Sequence, residues 1–553
     1  MNTRPWHAHY DPWVVRHPEY PHAPLTDILD RAAARDPGGV AIEFGAASIS
    51  FDALRVQADR LAGALRDRGV AAGDRVGIML PNCPPFVMAV FATLRAGAVV
   101  VPINPAYTAR EIEFVVRDAG LRALITLDTR LAAVHVATAE TPISLVVATT
   151  LAEYGGEAKG APPVSPVAGA TPLAGLLSHT STFPTPFPRR SPDDVAVLQY
   201  TGGTTGRPKA AVLTHASIFA NVIQSVAFMY GAAPPERERY LLVIPLFHTY
   251  GFTVGMLRAL WIGATQRLVP SFHPDQVLDA IAEFQPDFFP AVPTIYVSLL
   301  SHPRVATSGL NRVRVCNTGG APCALHILNR FEQVAGRPLS QGYGLTEASP
   351  ALCSTPQLGM RRPGTVGIPL PDTDVRIVDL DTGRPAPAGH SGELWVSGPQ
   401  LMQGYWRQPD ETARVLRTDA DGRRWLRTGD IARMDADGFL TIVQRLKDVI
   451  IVDALKVYPS EVESVLMTYP GVAMAAAIGL PDAYHGEVVH ASVVPTSGAT
   501  LSPDELLCHC RAHLAPFKVP AQIDIRAALP MSSVGKVLYR VLRQELSAAE
   551  VTS

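Results

Sequence analysis

Residues 200–209 read YTGGTTGRPK and form the segment of this sequence best suited to bind an anion. Three glycines let the backbone turn its N–H groups inward, three threonines add hydroxyl donors, and Lys209 adds positive charge. No Gly-Lys-Ser/Thr closes the segment, so it is not the P-loop of nucleotide triphosphatases. An ordinary Gly-rich hairpin would need only one or two glycines. We therefore predict a phosphate site at Thr201, Gly202, Gly203, Thr204, Thr205, Gly206 and Lys209.

Lysine is rare in this chain, which uses arginine by default. Of its 48 basic residues six are lysines, and the first 150 residues contain none. A lysine retained in such a chain can mark a place where a compact point charge is required. Lys209 and Lys536 both lie beside glycines and small residues, which favours a functional role. Lys159 lies in a loop, and we interpret it as chance retention.

The elements that would position these residues alternate between helix and strand patterns. A helix over 50–68 would have Ser50 as its cap, Leu54, Ala58, Leu61, Ala62 and Leu65 on one apolar face, and Gly69 after its end. Further patterns predict a strand over 75–80, a helix over 86–95, and strands over 98–103 and 123–127. Alternation of this kind predicts α/β layers with parallel strand pairing.

Composition changes divide the chain into a large and a small domain. A loop is predicted over 155–190, which is rich in Gly, Ala, Pro, Ser and Thr. A strand over 438–443 precedes a charged run that begins at Gln444, where we place a hinge. We predict an N-terminal domain over 1–443 made of layered α/β subdomains, and a small, mobile α+β domain over 444–553.

Bulk composition excludes several classes of protein. The 553 residues carry a formal net charge of −2 and no basic block, which argues against a nucleic-acid partner. The N-terminus lacks a signal-peptide core, and the longest apolar stretch, 96–103, is too short to span a bilayer. We therefore expect a cytoplasmic protein with reduced cysteines. Cys508-His509-Cys510 reads as thiols in a helix rather than as a metal site, because no second pair has zinc-ligand spacing.

Further motifs follow the phosphate segment in a fixed order. They are Pro245-Leu-Phe-His248-Thr-Tyr-Gly251, Asn317-Thr-Gly-Gly-Ala-Pro322, Gln341-Gly-Tyr-Gly-Leu-Thr-Glu347, Gly392-Glu-Leu, Gly404-Tyr-Trp, Thr428-Gly-Asp430, Arg445-Leu-Lys447-Asp448 and Gly535-Lys536. Together they resemble the adenylate-forming superfamily of acyl-CoA synthetases, adenylation domains and luciferases. The resemblance covers nearly the whole chain and is greatest to AMP-forming fatty-acyl-CoA and aryl-CoA ligases.

The resemblance implies ATP and Mg²⁺ as cofactors and assigns roles along the motifs. Lys536 would neutralise charge as the acid attacks the α-phosphate, Thr346 would contact that phosphate, and Glu347 would hold Mg²⁺. The nucleotide would lie against Gly320, Ala321, Pro322, Gln341 and Gly342, with Tyr343 stacked on adenine. Asp430 would accept the ribose hydroxyls, with Arg445 as a further donor.

The resemblance also places an acid pocket and a second reaction step. His248 would gate the pocket, and the lining would be Tyr250, Thr318, Gly319 and Gly320. The small domain would then rotate to admit CoA as the acyl acceptor. A homodimer is also compatible with the resemblance. For each motif residue a purely structural reading exists, such as a turn cap for Asp430 or a first-turn acid for Glu347.

Three positions depart from the family pattern. Gln444 replaces a usual aspartate, Ala454 replaces a usual glycine against the expected CoA tunnel, and Asp453 replaces a small or basic residue. A carboxylate there is unfavourable for an anionic CoA unless it is paired. The departures keep open an adenylate-forming enzyme that does not use CoA, forming an amide or activating nitrite to diazotise an aryl amine. An inactive nucleotide-binding scaffold is a third reading, which the intact motifs oppose.

Overall fold

The computed structural model describes most of the chain. The described residues are 4–155, 169–178, 190–201, 208–232, 237–453, 455–482, 484–496, 498–532 and 537–552, with backbone only beyond 546. Several predicted residues lie outside them: Gly202, Gly203, Thr204, Thr205, Gly206, Ala454 and Lys536.

The strands are short, with a few longer ones after residue 390. In chain order they are β1 Val40–Phe44, β2 Ala47–Ser50, β3 Arg75–Met79, β4 Val99–Pro102, β5 Leu121–Leu127, β6 Leu145–Thr149, β7 Thr171–Pro172, β8 Val195–Thr201, β9 Lys209–Thr214, β10 Arg239–Leu242, β11 Thr265–Leu268, β12 Phe288–Ala291, β13 Val315–Thr318, β14 Ser340–Gly344, β15 Ala351–Ser354, β16 Ile368–Pro369, β17 Asp374–Val378, β18 Ser391–Ser397, β19 Gly404–Tyr405, β20 Leu416–Thr418, β21 Arg424–Met434, β22 Leu440–Arg445, β23 Ile450–Val452, β24 Leu455–Val457, β25 Val472–Asp482, β26 Gly486–Pro495 and β27 Gln522–Ile525.

The helices alternate with the strands over the first two thirds of the chain. They are α1 Thr26–Arg35, α2 Phe51–Asp67, α3 Pro84–Arg95, α4 Ala109–Ala119, α5 Leu131–Thr138, α6 Leu173–Leu177, α7 His215–Tyr230, α8 Arg258–Ile262, α9 Pro274–Phe284, α10 Pro293–Leu300, α11 Leu325–Ala335, α12 Pro409–Val415, α13 Pro459–Met467, α14 Pro503–His513 and α15 Tyr539–Thr552. A π-helix over Tyr250–Leu257 runs directly into α8.

Two large sheets build the N-terminal part. The nine-stranded sheet has the order β16-β15-β14-β13-β12-β10-β11-β1-β2, and its central strands from β1 to β14 pair in parallel. The eight-stranded sheet has the order β19-β9-β8-β4-β3-β5-β6-β7, and β4, β3, β5 and β6 are parallel neighbours. The predicted α/β layers with parallel pairing are therefore confirmed.

The predicted elements lie where the sequence pattern put them, with ends shifted by a few residues. The Ser50 hydroxyl accepts the Ala53 N–H at 3.2 Å and caps α2, whose predicted apolar face is fully buried. One prediction is wrong in part. The loop predicted over 155–190 contains β7 and α6 among its described residues, because Leu173 and Leu176 are fully buried in the core that also holds α2.

The last two sheets are antiparallel for the most part. The third sheet has the order β17-β18-β21-β20, with β22 added on β21. The fourth has the order β24-β23-β26-β25 with β27 on β26, and α13 and α14 cover it around the buried Val457, Val462 and Leu506. The α/β fold with a smaller C-terminal domain is thus confirmed. The boundary at 443/444 stays a prediction, and β22 runs across it.

Two other expectations concern cysteines and membranes. Cys508 and Cys510 lie in α14 as predicted, and no group of metal-ligating side chains is present among the described residues. Within the same residues, no helix combines the length and the apolar character needed to cross a bilayer.

Leu61→Ala should destabilise the N-terminal region by about 2–5 kcal/mol, because it opens a cavity where the side chain is fully buried on α2. Val136→Ala on α5 is the matched control, since Val136 is 71% exposed, and it should change the free energy of unfolding by less than about 0.5 kcal/mol. Urea denaturation followed by circular dichroism measures both. Equal effects would contradict the assigned core.

Candidate functional site

The carboxyl ends of four parallel strands meet at one edge of the nine-stranded sheet. Ala291 of β12 is in register with Thr318 of β13, which is in register with Gln341 of β14. The predicted motifs are the chain segments that leave these strands, and the 245–251 segment leaves β10 beside them. Because ligands of parallel sheets bind at the carboxyl ends of strands, this edge is the candidate site.

A buried carboxylate joins the third sheet to this edge. Asp430 on β21 is 3% exposed, and its Oδ1 pairs with Arg445 Nε of β22 at 2.8 Å. The Tyr343 hydroxyl donates to its other oxygen. Burial raises the pKa of the Tyr343 phenol well above its usual value, so the phenol is a neutral donor. The structure thus brings together three residues predicted to contact adenine and ribose.

Glu347 is connected to the predicted phosphate segment through Tyr405. The Tyr405 hydroxyl donates to Glu347 Oε1 at 2.7 Å, and the Glu347 carbonyl accepts the Met402 N–H at 2.8 Å. Tyr405 belongs to β19, which pairs with β9. The sequence assigned no site role to the Gly404-Tyr-Trp motif, so the contact of Tyr405 with the predicted metal ligand was not predicted.

Two antiparallel strands flank the predicted phosphate segment. In β8 and β9 Thr201 lies opposite Lys209, so the hairpin alternative describes the backbone on either side of 202–207, which lie outside the described residues. The Lys209 ammonium pairs with Glu411 and lies 5.4 Å from the centre of the Tyr405 ring. A role for Lys209 in phosphate binding stays a prediction, and it would require Glu411 to share the ammonium group.

The residues predicted to line the acid pocket are neighbours. The Tyr250 hydroxyl donates to Asn317 Oδ1 at 2.5 Å, and its backbone N–H donates to His248 Nδ1 at 3.3 Å. A Cβ on Gly319 would lie 3.7 Å from the Tyr250 ring. Thr318 Oγ1 is buried without a hydrogen-bond partner in the described residues, so it is available to a ligand.

Two buried amides that the sequence did not indicate support the gate segment. Asn82 accepts the Leu246 N–H at 2.7 Å and donates to the carbonyls of Leu242 and Ile244. Gln199 donates to the Phe247 carbonyl at 3.0 Å. The available signal for Asn82 was its position between strand β3 and helix α3, where side chains reach a sheet edge.

The other predicted nucleotide contacts lie along the same edge. Gln341 Nε2 donates to the Thr365 carbonyl at 2.9 Å. Its Oε1 is the atom that can accept a hydrogen bond from the amino group of adenine. Gly320 has φ +82°, a left-handed conformation in which glycine is favoured. Gly342, Ala321 and Thr346 are partly exposed and Pro322 is exposed, as residues that face a ligand would be.

Two of the three departures, Asp453 and Gln444, have definite partners. Asp453 has φ +50° in the turn after β23, and its Oδ1 lies 2.9 Å from His485 Nδ1. The hydrogen bond that the protonated His485 ring donates to Asp453 raises the pKa of His485. The carboxylate that seemed unfavourable for CoA is therefore paired. Gln444 Oε1 accepts the Ser460 N–H at 3.1 Å, which fastens β22 to the first turn of α13.

Two family descriptions match the chain. Residues 29–406 match the AMP-binding enzyme description, and residues 461–536 match the AMP-binding enzyme C-terminal domain. The chain belongs to the AMP-binding enzyme family. The resemblance to adenylate-forming ligases is confirmed.

Individual relatives of this AMP-binding enzyme cover almost all of it. A long-chain-fatty-acid–CoA ligase of Bacillus subtilis is 38% identical over 99% of this chain and 98% of its own length. A feruloyl-CoA synthase of an Amycolatopsis species is 36% identical over 93% of this chain and 97% of its own. The crystal structure of ATP-bound MatB from Rhodopseudomonas palustris superposes with a TM-score of 0.85 at 31% identity, covering 94% of this chain and 98% of that one.

Asp430→Asn should raise the dissociation constant for ATP by about 10-fold or more, because it weakens charged hydrogen bonds to the ribose and to Arg445. Asp421→Asn, at an exposed position, should leave it unchanged. Isothermal titration calorimetry on both variants, with thermal melting to check folding, makes the comparison. Unchanged ATP affinity in a folded Asp430→Asn protein would contradict the placement of the nucleotide.

Asp453→Asn should lower the pKa of His485 toward its usual value near 6.5, because it removes the partner that raises it. The sign follows from the raised folded-state pKa: the stabilising pairing is complete below pH ~6.5 and is lost as the pH rises through the higher folded value. Proton NMR titration of the His485 ring checks this. Asp504→Asn should not move that pKa, and an unmoved pKa in Asp453→Asn would refute the pairing.

Proposed function

We propose that this enzyme activates a carboxylic acid with ATP and Mg²⁺ to an acyl-AMP and transfers the acyl group to CoA, releasing pyrophosphate and AMP. The observation that carries the proposal is that three groups of residues meet at one sheet edge. They are the predicted acid-pocket residues around Tyr250, the Tyr343–Asp430–Arg445 cluster, and Glu347. Both curated relatives described above are named as CoA ligases or synthases.

Adenylation joins two anions, so the site must supply positive charge and hold the reactants in line. A carboxylate oxygen attacks the α-phosphorus. The bond from the α-phosphorus to the oxygen that bridges to the β-phosphorus breaks, and pyrophosphate leaves with that oxygen. We assign the neutralisation of the negative charge on the reacting oxygens to Lys536, which lies outside the described residues. Thr346, which directly precedes Glu347, would contact the α-phosphate.

The residues present fit a magnesium ion at Glu347. Mg²⁺ in nucleotide sites takes one or two carboxylates and completes its shell with phosphate oxygens and water. Glu347 is a partly exposed carboxylate whose Oε1 accepts a hydrogen bond from Tyr405. The described part of the chain contains no group of three or more His, Cys, Asp or Glu side chains placed to hold a metal ion. Bound there, the ion would neutralise the charge of the triphosphate.

The acyl acceptor is the step on which the departures bear. The pairing of Asp453 with His485 removes the objection that a free carboxylate would repel CoA, and it supports the thioester step. The second candidate remains an enzyme that transfers the acyl group to an amine, or activates nitrite, and Asp453 and Ala454 are the residues that favour it. The acid is a fatty or aryl acid. A cytoplasmic location and a homodimer stay predictions.

Lys536→Ala should lower acid-dependent pyrophosphate exchange by about 100-fold or more, because the developing charge loses its cation. It should spare thiolysis of a supplied acyl-adenylate by CoA. Lys159→Ala, which removes a lysine to which the sequence assigns no role, is the control and should leave both steps unchanged. Equal loss of the two steps would contradict the role of Lys536.

The acyl acceptor is identified by incubating the wild-type protein with ATP, candidate acids and hydroxylamine, with and without CoA. Acyl hydroxamate shows the adenylate, and CoA-dependent AMP release with a thioester product shows the second step. Hydroxamate without any thioester would remove the CoA step and leave adenylation standing.

A further inference from the structure

Two fully buried polar side chains near the candidate acid pocket have unpaired polar atoms. Arg258, at the start of α8, is 2% exposed, and its Nε and Nη2 have no hydrogen-bond partner among the described residues. Gln266, on β11, is 0% exposed, and neither its Nε2 nor its Oε1 has a partner there. Buried polar atoms are almost always paired, so four open positions together require an explanation.

The two side chains flank one tyrosine on one face of the sheet. Gln266 of β11 is in register with Tyr240 of β10, which is in register with Phe288 of β12. The guanidinium carbon of Arg258 lies 4.2 Å from the centre of the Phe288 ring and 5.4 Å from that of Tyr240. The aromatic rings hold the guanidinium of Arg258, and the Tyr240 hydroxyl shares a hydrogen bond with it, but its Nε and Nη2 have no partner among the described residues.

The nearest carboxylate is already bonded to other groups. Glu238 pairs through Oε1 with the exposed Arg314 and accepts the Tyr230 hydroxyl on Oε2 at 2.9 Å. Asp287 accepts the Arg239 backbone N–H. Among the described residues, no carboxylate forms an ion pair with Arg258, although the charge of Glu238 acts on it from a longer distance. Two nitrogens of this buried cation lack an acceptor, which is unfavourable, and a bound acceptor would relieve it.

This cluster lies at a defined depth behind Tyr250. Phe288 is in register with Val315 of β13, and Asn317, which accepts the Tyr250 hydroxyl, lies two residues further toward the site edge on the same strand face. Two strand residues span about 7 Å. Eight residues of helix separate Tyr250 from Arg258, and because a π-helix rises less per residue than an α-helix, they span at most about 12 Å. The charge on Arg258 also opposes the burial that raises the pKa of Tyr250, which places the two groups within electrostatic range.

We propose that Arg258 and Gln266 form the far end of the acid pocket and bind a hydrogen-bond-accepting oxygen carried by the tail of the acid, about 7–12 Å from the Tyr250 and Asn317 level. The inference rests on the proposed function and names its substrate class. That class is an aryl acid with a distal hydroxyl, or a medium-chain acid with a terminal hydroxyl or carboxylate. A plain alkyl tail would leave the guanidinium and amide unpaired, and sites built around such groups reject the analogue that lacks the oxygen.

The test compares acids of matched length in the pyrophosphate-exchange assay. The pairs are 4-hydroxycinnamic with cinnamic acid, and 8-hydroxyoctanoic and octanedioic with octanoic acid, and hexadecanoic acid represents long plain chains. We expect the wild-type kcat/KM for at least one oxygenated acid to exceed that of its plain partner by about 100-fold. The pair that shows the preference identifies the distal group as a phenol, an aliphatic hydroxyl or a carboxylate.

The variants ask whether these two side chains cause the preference. Arg258→Leu and Gln266→Leu should each reduce the ratio between oxygenated and plain acid to less than about one tenth of the wild-type value, chiefly through KM for the oxygenated acid. Arg314→Gln removes a guanidinium from the exposed side of the same network and should keep the ratio. Thermal melting identifies a variant that fails to fold. In that case the wild-type ratio of kcat/KM between oxygenated and plain acids still tests the preference.

The outcomes separate the two proposals. Exchange with plain and oxygenated acids at equal kcat/KM, or an unchanged ratio in folded Arg258→Leu, would show that Arg258 and Gln266 bind water only and would overturn the inference. Exchange with none of the acids would overturn the proposed function itself. A ratio that falls in Arg258→Leu but not in Arg314→Gln supports the inference.

Discussion

The parallel pairing of β10, β12, β13 and β14 is the constraint on which the site depends. Parallel strands must all end at the same edge, so the segments that leave them meet there even though more than 70 residues separate the first from the last. The antiparallel third sheet reaches the same edge through one buried carboxylate, Asp430, which is held by Arg445 from its own sheet and by Tyr343 from β14. Both oxygens of this buried carboxylate are bonded, as the burial of a charge requires.

Periodicity and motif order were sufficient to predict the layers and most of the candidate site. The five apolar positions of α2 recur at helical spacing and are all buried, and β4 is a β-branched run covered on both faces. Motif order placed Tyr343, Asp430 and Arg445 in one cluster, although the chain separates them by up to about a hundred residues. Such predictions succeed where a local pattern has one physical meaning.

The contacts that were not predicted are those that only packing creates. The position of Asn82 after β3 indicates a side chain near the sheet edge but not its role in supporting the gate segment, because its partners, Leu242, Ile244 and Leu246, are about 160 residues away. The sequence assigned Tyr405 no role at the site, and the structure shows that its hydroxyl donates a hydrogen bond to Glu347. Asp453 looked unpaired because its partner, His485, belongs to a distant turn. Arg258 belongs to no sequence motif in a chain that uses arginine by default, and what distinguishes it is its burial with two nitrogens unpaired among the described residues.

An enzyme that forms an acyl-adenylate moves one oxygen atom from the acid to AMP, because the carboxylate oxygen that attacks the α-phosphorus stays there when the carbonyl carbon is attacked. The most direct measurement uses an acid labelled with ¹⁸O in its carboxylate and analyses the products by mass spectrometry. Adenylation predicts AMP that carries one ¹⁸O and pyrophosphate that carries none. Label in pyrophosphate or phosphate, or unlabelled AMP formed during turnover, would contradict it.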